Sequence, residues 1–284
     1  MITNRIETKE NVPNSAVVDG MNADQTMYEL TASILEYGTM EKDFRGKVVL
    51  FDFDDTLMFN KPTYIDVIHQ KASEQGVPLD ERKCMSAHRR LLQYWSGSTE
   101  LLEDRLLWGG VENDCFWTRQ ISRHLRLLDV AGSDADALAV VIYKQMAEDF
   151  QRLDYSHPDV IPALNELSDS GFKLGIVSNR EEGFDDVLKD LGFTGLFDVV
   201  VCAGAVNKRK PDPEILLHTA QLLGVAQSEI AYVGDNPFMD VICSLRAGIF
   251  PFLLDKDNLF PGLPVATIRT VGELPALLCG EKNR

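Results

Sequence analysis

The stretch FDFDDTLMFN, Phe51–Asn60, sets three carboxylates within four positions directly behind the apolar run VVLF. Asp52 and Asp54 alternate with Phe53, so on a strand both point to the same side. Two carboxylates on one face repel, and each disfavours the ionised form of the other. Such a pair calls for a cation, which the rest of the chain must supply or bind. Other reactive residue types recur in the same kind of place. Ser178-Asn179 closes the run KLGIV, and Gly234-Asp235 closes EIAYV, with Asp240 shortly beyond. Lys208-Arg209-Lys210-Pro211 follows DVVVC. One aspartate at a strand end is ordinary. Acid, hydroxyl, amine and acid at successive strand ends are not explained by packing.

These residues meet only if the runs that carry them lie side by side. From His157 onward, helical and strand-like segments alternate: PDVIPALNELSDSG, KLGIVSN, GFDDVLKDLG, DVVVC, DPEILLHTAQLLG, EIAYVGD, MDVICSLRAG and IFPFLL. β-branched runs of strand length alternating with helices predict a parallel sheet covered on both faces. GKVVLFDFD is expected to be its first strand. In an open α/β sheet ligands bind beyond the carboxyl ends of the strands, at the switch point, which is where these residues fall. From Pro62 to Leu153 the pattern is helical, with no convincing strand. KPTYIDVIHQKASEQG, ERKCMSAHRRLLQYW, NDCFWTRQISRHLRLL and DADALAVVIYKQMAEDF carry apolar residues at three-to-four spacing, punctuated by Gly76, Gly97 and Gly109-Gly110. The organisation expected is an α/β core over 26–60 and 154–284, a helical insertion over 61–153, and a flexible polar tail over 1–25. A short helix is expected within MYELTASILEYGTM.

Composition narrows the partners. With 284 residues and 45% hydrophobic content the chain can bury a sizeable core. Its 28 basic and 44 acidic residues give a formal charge of −16. That argues against nucleic-acid backbones and anionic membranes as partners. An anionic substrate would need a local positive spot or a metal. The five cysteines are scattered without C-x-x-C spacing and fit reduced thiols. No apolar run reaches membrane-spanning length and the first residues lack a signal-peptide core, so a cytoplasmic location is expected.

VVLFDFDDTL, IVSN, KRKPDPEI and VGDNPFMD are similar, in order and spacing, to the four motifs of the haloacid dehalogenase-like hydrolase superfamily. The resemblance covers about Lys47 to Leu254, and the helical insertion resembles that superfamily's helical cap. It implies a Rossmann-like, doubly wound parallel sheet and a Mg2+-dependent phosphatase acting on a small phosphorylated metabolite. Asp52 would be the nucleophile, forming an aspartyl-phosphate, and Asp54 the general acid and then base. Mg2+ would be held by Asp52, the backbone carbonyl of Asp54, and Asp235. Ser178 and the Asn179 backbone would hydrogen-bond the phosphate, with Lys210 balancing charge. Thr56 and Arg180 border that site, Thr56 also helping to fix its loop, and Arg180 and Glu181, just after the second motif, being candidates for substrate contact. Asp55 reads as a turn residue. Asp240 reads as orienting Lys210 or a metal water, or as an acid in a helix first turn. Lys208 and Arg209 read as solvated loop charges. The sequence departs from the family pattern at Ala205 and Asn207, where an acid and a glycine are common, and at Ser244, where a small apolar residue is common.

In the insertion the candidates for substrate selection are Arg89, Arg90, Trp95, Arg105, Trp108, Trp117, Arg119 and His124. The arginines read first as surface charges and the tryptophans as core packing. A phosphomutase of the β-phosphoglucomutase kind shares every motif. A 2-haloacid dehalogenase dispenses with the second acid and the metal, whereas Asp54 and Asp235 are both present. A non-catalytic phosphate-binding protein would be expected to have lost Asp52, Asp54 or Lys210.

Overall fold

The computed structural model describes residues 25–37, 44–149 and 151–280. Helix α1 (Gln25–Leu35) and strand β1 (Val48–Phe51) come first. A short strand β2 (Phe59–Lys61) leads into helices α2 (Tyr64–Glu74), α3 (Glu81–Trp95), α4 (Thr99–Trp108), α5 (Asp114–Leu127) and α6 (Gly132–Asp149). Strand β3 (Leu153–Tyr155) leads out. Then follow α7 (Val160–Asp169), β4 (Lys173–Ser178), α8 (Asp185–Asp190), β5 (Val199–Cys202), α9 (Ala203–Val206) and α10 (Glu214–Leu223). The chain continues through β6 (Ile230–Gly234), α11 (Ile242–Ala247), β7 (Phe250–Leu254), β8 (Ala266–Ile268) and α12 (Leu274–Leu278).

Six strands form one parallel sheet in the order β5-β4-β1-β6-β7-β8. The chain runs outward from β1 to β5, then reverses and builds the other half from β6. The reversal lies beside β1 and opens a crevice at its carboxyl end. Alternation divides β1 between two cores. Val49 and Phe51 pack with Val160, Leu164 and Leu274 of α7 and α12, while Val48 and Leu50 pack with Ile215, Leu216 and Cys243 of α10 and α11. A strand buried on both faces needs a continuous apolar run, and VVLF supplies it. Each such side chain contributes about 1.5–3 kcal/mol by burial, so a charge at Leu50 would break the sheet at its centre.

The helices between β2 and β3 have a core of their own, with Val67, Ile68, Ile121, Leu125, Ala139 and Ile142. Sequence-local caps set their ends. Thr63 and Asp66 form a capping box on α2, with bonds of 3.1 and 3.2 Å, and Asp80 caps α3 through Lys83 N at 3.0 Å. The insertion also holds to the sheet. Leu30 and Ile34 of α1 share one apolar cluster with Val241, Ile242 and Leu253 of the core and with Met85 and Leu92 of α3. Asn236 Nδ2 donates to the Leu92 carbonyl at 3.2 Å, and Arg89 donates to the Leu259 carbonyl.

Several elements differ from expectation. The β2 and β3 strands pair antiparallel, Phe59 opposite Tyr155 and Lys61 opposite Leu153, as a ribbon where the chain leaves and re-enters the core. At three residues each they are too short for a periodic signal. Helix α4 was not expected; its Leu102, Leu106 and Leu107 are exposed, so no buried stripe marks it. The short helix expected within MYELTASILEYGTM is α1, which begins two residues earlier, at Gln25, and ends at Leu35. The tail expected over 1–25 lies outside the described residues except for Gln25, which opens α1. Among the described residues no helix is long and apolar enough to cross a membrane.

Candidate active site

Beyond β1 the backbone of Asp52 still donates to Val233 O at 2.8 Å, so the first acid is held as part of the sheet. The chain then folds back sharply. Leu57 N and Met58 N both donate to Phe53 O, and Asp55, with φ 58°, donates to Met58 O at 2.7 Å. Asp55 is the turn residue the sequence suggested, in the left-handed region that aspartate tolerates.

Lys210 reaches the same point from the loop after α9. Asn179 fixes that loop: its Oδ1 accepts from Lys210 N at 2.7 Å and its Nδ2 donates to Lys210 O at 2.9 Å. The ammonium is buried and contacts Asp52 Oδ1 at 2.7 Å, Asp240 Oδ1 at 2.7 Å and the Tyr232 hydroxyl at 2.8 Å. All three of its donors are thereby engaged. Tyr232 in turn donates to Val177 O at 2.9 Å, and the second oxygen of Asp240 accepts from Asn236 N at 2.9 Å. Asp240 lies directly against Gly234, where an added Cβ would fall 2.3 Å from its carboxyl carbon, so this close approach requires glycine. Asp240 thus touches Lys210 and also stands in the first turn of the helical stretch Pro237–Val241, so both placements read from the sequence describe it.

The charge balance is unequal. Burial pushes Asp52 up to about 7; Lys210 opposes the rise without cancelling it, and the charge of Asp240 adds to it. Burial likewise raises Asp235 well above the usual carboxylate range, helped by Asp55, Asp240 and Asp52. Burial works against the Lys210 charge, yet Asp240 and Asp52 hold its pKa well above the ordinary value. One ammonium thus faces three crowded acids. Asp52, Asp235 and Asp240 each offer an oxygen within 4.8 Å of the others, the one such group among the described residues. Asp240 has both oxygens committed, which leaves Asp52 and Asp235 as the pair available to a metal. Hard oxygen donors with excess negative charge suit Mg2+.

Other residues fall around this centre. Ser178 is buried at the end of β4 and its hydroxyl accepts from Arg180 N at 3.2 Å. Arg180, read from sequence as a substrate contact, forks onto Asp54 through Nε at 2.9 Å and Nη2 at 2.7 Å. Its guanidinium also lies 4.9 Å from the Phe53 ring centroid and 5.2 Å from that of Phe184. Thr56, read as bordering the substrate, directs its hydroxyl to Asp235 Oδ1 at 3.4 Å. Lys208 and Arg209 pair at the surface with Glu214 and Glu181. The departures from the family pattern are accommodated: Asn207 sits at φ 52°, which asparagine tolerates in place of glycine, and Ser244 Oγ donates to Asp240 O at 2.7 Å. Sequence reading missed Tyr232 and Asn236. A hydroxyl inside the otherwise apolar, buried β6 was the available signal for the first.

Two cavities lie between the insertion and the strand ends, of about 530 and 500 Å3, sharing Asp55, Thr63, Tyr64 and Trp95 in their walls. Trp117 lines the first. Trp95 and Trp117 therefore have a face on the cleft in addition to the packing expected of them. Arg105 and Trp108 lie exposed on α4 and line neither cavity. Arg90 pairs with Glu100 and Arg119 lies 3.9 Å from Asp104; His124 is buried beside His69, their Nε2 atoms 2.9 Å apart.

Residues 47–248 match the family described as haloacid dehalogenase-like hydrolase. The chain belongs to that family. The chain is similar to a glyceraldehyde 3-phosphate phosphatase of Methanopyrus kandleri, 30% identical over 72% of this chain and 81% of the relative. A phosphoglycolate phosphatase of Pseudomonas putida is 26% identical over 72% of this chain and 67% of its own length. A crystal structure of a dehalogenase with an intermediate complex superposes with a TM-score of 0.50 at 20% identity, over 84% of this chain and 99% of that one, and shares the fold.

Proposed function

We propose that this haloacid dehalogenase-like hydrolase is a Mg2+-dependent phosphatase that cleaves a small phosphomonoester through an aspartyl-phosphate on Asp52. The observation that carries the reading is the buried Asp52 carboxylate, fixed by Lys210 at 2.7 Å and crowded by Asp235 without a matching cation. The names of the phosphatase relatives agree with it.

An Asp52 oxygen attacks phosphorus, and the bond from phosphorus to the alcohol oxygen breaks. Asp54 gives that oxygen its proton, then takes one from the water that attacks the phosphoenzyme, and inorganic phosphate leaves as the acyl-phosphate bond breaks. Arg180 holds Asp54 in place by its fork. Ser178 and the Asn179 backbone are the donors assigned to the phosphoryl oxygens. Lys210, with no rotational freedom left to its ammonium, acts as a fixed positive charge beside the nucleophile. Asp52, the Asp54 carbonyl and Asp235 would hold Mg2+, with Thr56 steadying Asp235. When bound, the ion neutralises charge that develops on the transferring group.

Phosphate release from p-nitrophenyl phosphate, measured with Mg2+ and again with EDTA, tests this. Release is expected with Mg2+, is lost on chelation and returns when Mg2+ is restored. Full activity in EDTA would overturn the metal assignment.

A further inference from the structure

We propose that the alcohol released from phosphate is neutral and carries a flat ring with a hydrogen-bond donor, of the nucleoside class, and that the ring lies in the cleft against Tyr64, Trp95 and Trp117. The proposal rests on the phosphatase reading above and names the substrate class for that site.

The position of Asp54 selects the cavity. A leaving oxygen must come within hydrogen-bond distance of its proton donor. Asp54 lines the cavity of about 530 Å3 and does not line its neighbour. That volume lies within the roughly 300–1,000 Å3 typical of sites for ring-bearing ligands, and it exceeds the need of a two- or three-carbon alcohol.

The walls are aromatic and oriented in advance. Ring centroids of Tyr64 and Trp117 lie 5.5 Å apart, and those of Trp95 and Trp117 5.9 Å apart. The polar atoms of Tyr64, Trp117 and Tyr143, which also lines the cavity, are engaged elsewhere. Tyr64 OH donates to Gln120 Oε1 at 2.8 Å, Trp117 Nε1 donates to Val111 O at 2.8 Å, and Tyr143 OH donates to Asp114. None of these three acceptors lines the cavity. What the cleft receives from these residues is therefore π surface, the kind on which a heterocycle stacks irrespective of its substituents.

Polarity and charge narrow the class further. Asn60 lines the same cavity, and its Oδ1 is buried with no hydrogen-bond partner. A buried acceptor in that state calls for an N–H or O–H on the ligand. The charged groups on the wall are Asp54, Asp55 and Arg152; Asp54 is already forked by Arg180 and Arg152 is paired with Asp154 at 3.0 Å, which leaves the carboxyl of Asp55. The wall thus offers no unpaired cation to a second anionic group. It disfavours a leaving group with its own carboxylate, which sets this chain apart from its phosphoglycolate phosphatase relatives.

The test compares kcat/KM of the purified full chain with Mg2+ on uridine 5′-monophosphate and on phosphoglycolate. The nucleotide is expected to be favoured by tenfold or more, since stacking and the donor to Asn60 each contribute about that factor. Trp117→Ala should lower the nucleotide-to-phosphoglycolate ratio about tenfold, and Trp117→Phe should restore most of it. The ratio within one variant does not depend on how much of the protein is folded. Equal or better turnover of phosphoglycolate, or a Trp117→Ala ratio unchanged from wild type, overturns the inference and leaves the phosphatase standing. No phosphate from either substrate or from p-nitrophenyl phosphate overturns both.

Discussion

The two ends of the cleft are built on opposite plans. At the sheet end polar groups are buried and interlocked: Asn179 grips the Lys210 backbone, Lys210 grips Asp52, Asp240 and Tyr232, and Tyr232 is tied to Val177. At the helical end the walls are half-buried rings, with the buried acceptor of Asn60 left without a hydrogen-bond partner. A satisfied network in a low-dielectric interior is rigid, and any missing member exposes a buried charge. A surface of ring faces tolerates shape changes at modest cost. Attack on phosphorus needs the first arrangement and choice among alcohols needs the second. The difference teaches where mutations should be indifferent to substrate and where they should discriminate.

Asp52→Asn gives the sharpest test. It should lower turnover at least ~10^4-fold on every phosphomonoester alike and remove all acid-trapped phosphate from the protein. A loss that varies with the alcohol would break the comparison, because it would bring the nucleophile into substrate choice. Asp54 stands at the boundary between the two ends. Asp54→Asn is expected to cost about 10^2–10^4-fold on alkyl phosphates and less on p-nitrophenyl phosphate, whose leaving group needs little protonation. Arg180→Ala should follow the same substrate trend at roughly 10–100-fold, and Arg180→Lys should not restore activity, since only the planar fork spans both Asp54 oxygens. Steady-state kinetics on the two substrates decides both. Equal losses for Arg180→Ala on both would assign Arg180 to the phosphoryl group.

The smallest effect separates the ends by stability. In the helical end, burial drives His124 down to about 3, with His69 and His88 adding to the effect, and burial followed by Lys256 drives His88 down to about 4. Both are neutral in folded and unfolded chains above 6.5. As pH falls below that value the unfolded chain takes up protons that the folded one refuses, so stability is lost from about 6.5 down to about 4 through His88 and down to about 3 through His124. Asp52 and Asp235, whose pKa values burial raises, act in the opposite sense over this range, so the histidine share is read as a difference between variants. By scanning calorimetry the Tm of His124→Gln relative to wild type should rise as pH falls through the window, and a difference independent of pH would remove His124 as a source.

Much of the sheet end is legible in sequence because strands impose their own order. Asp52, Ser178, Lys210 and Asp235 each follow an apolar run, and parallel strands bring such ends together. Tyr232 is hidden because its hydroxyl sits inside an apolar strand, and its role depends on a lysine from another loop. Arg180 follows the second motif, and nothing in its spacing says that it folds back on Asp54. In the helical end, periodicity marks α3 and α5 well, since both bury stripes. It cannot say that Trp95 and Trp117 turn toward the cleft, because a helix face against a cavity and a helix face against a core carry the same residues. Helix α4 and the β2–β3 ribbon escape for the reason that neither buries a repeating pattern.

That ribbon bears on how the molecule assembles. β1 must find β4, with Val48 opposite Lys173 and the whole helical insertion between them. Closing so long a span carries an entropy cost, and such distant pairings are slow to form. The insertion has its own core of contacts nearer in sequence, and the ribbon joins its two ends, Phe59 and Tyr155 having ring centroids 5.9 Å apart. Once the ribbon exists, the span left to close is only the short stretch on either side of it. The ribbon is thus a fastener whose value is greatest before the sheet is complete. Tyr155→Ala should slow refolding by most of the stability it removes and hardly alter the unfolding rate, a φ-value near one. Stopped-flow refolding that keeps its wild-type rate while unfolding accelerates would show that the sheet closes without waiting for the ribbon.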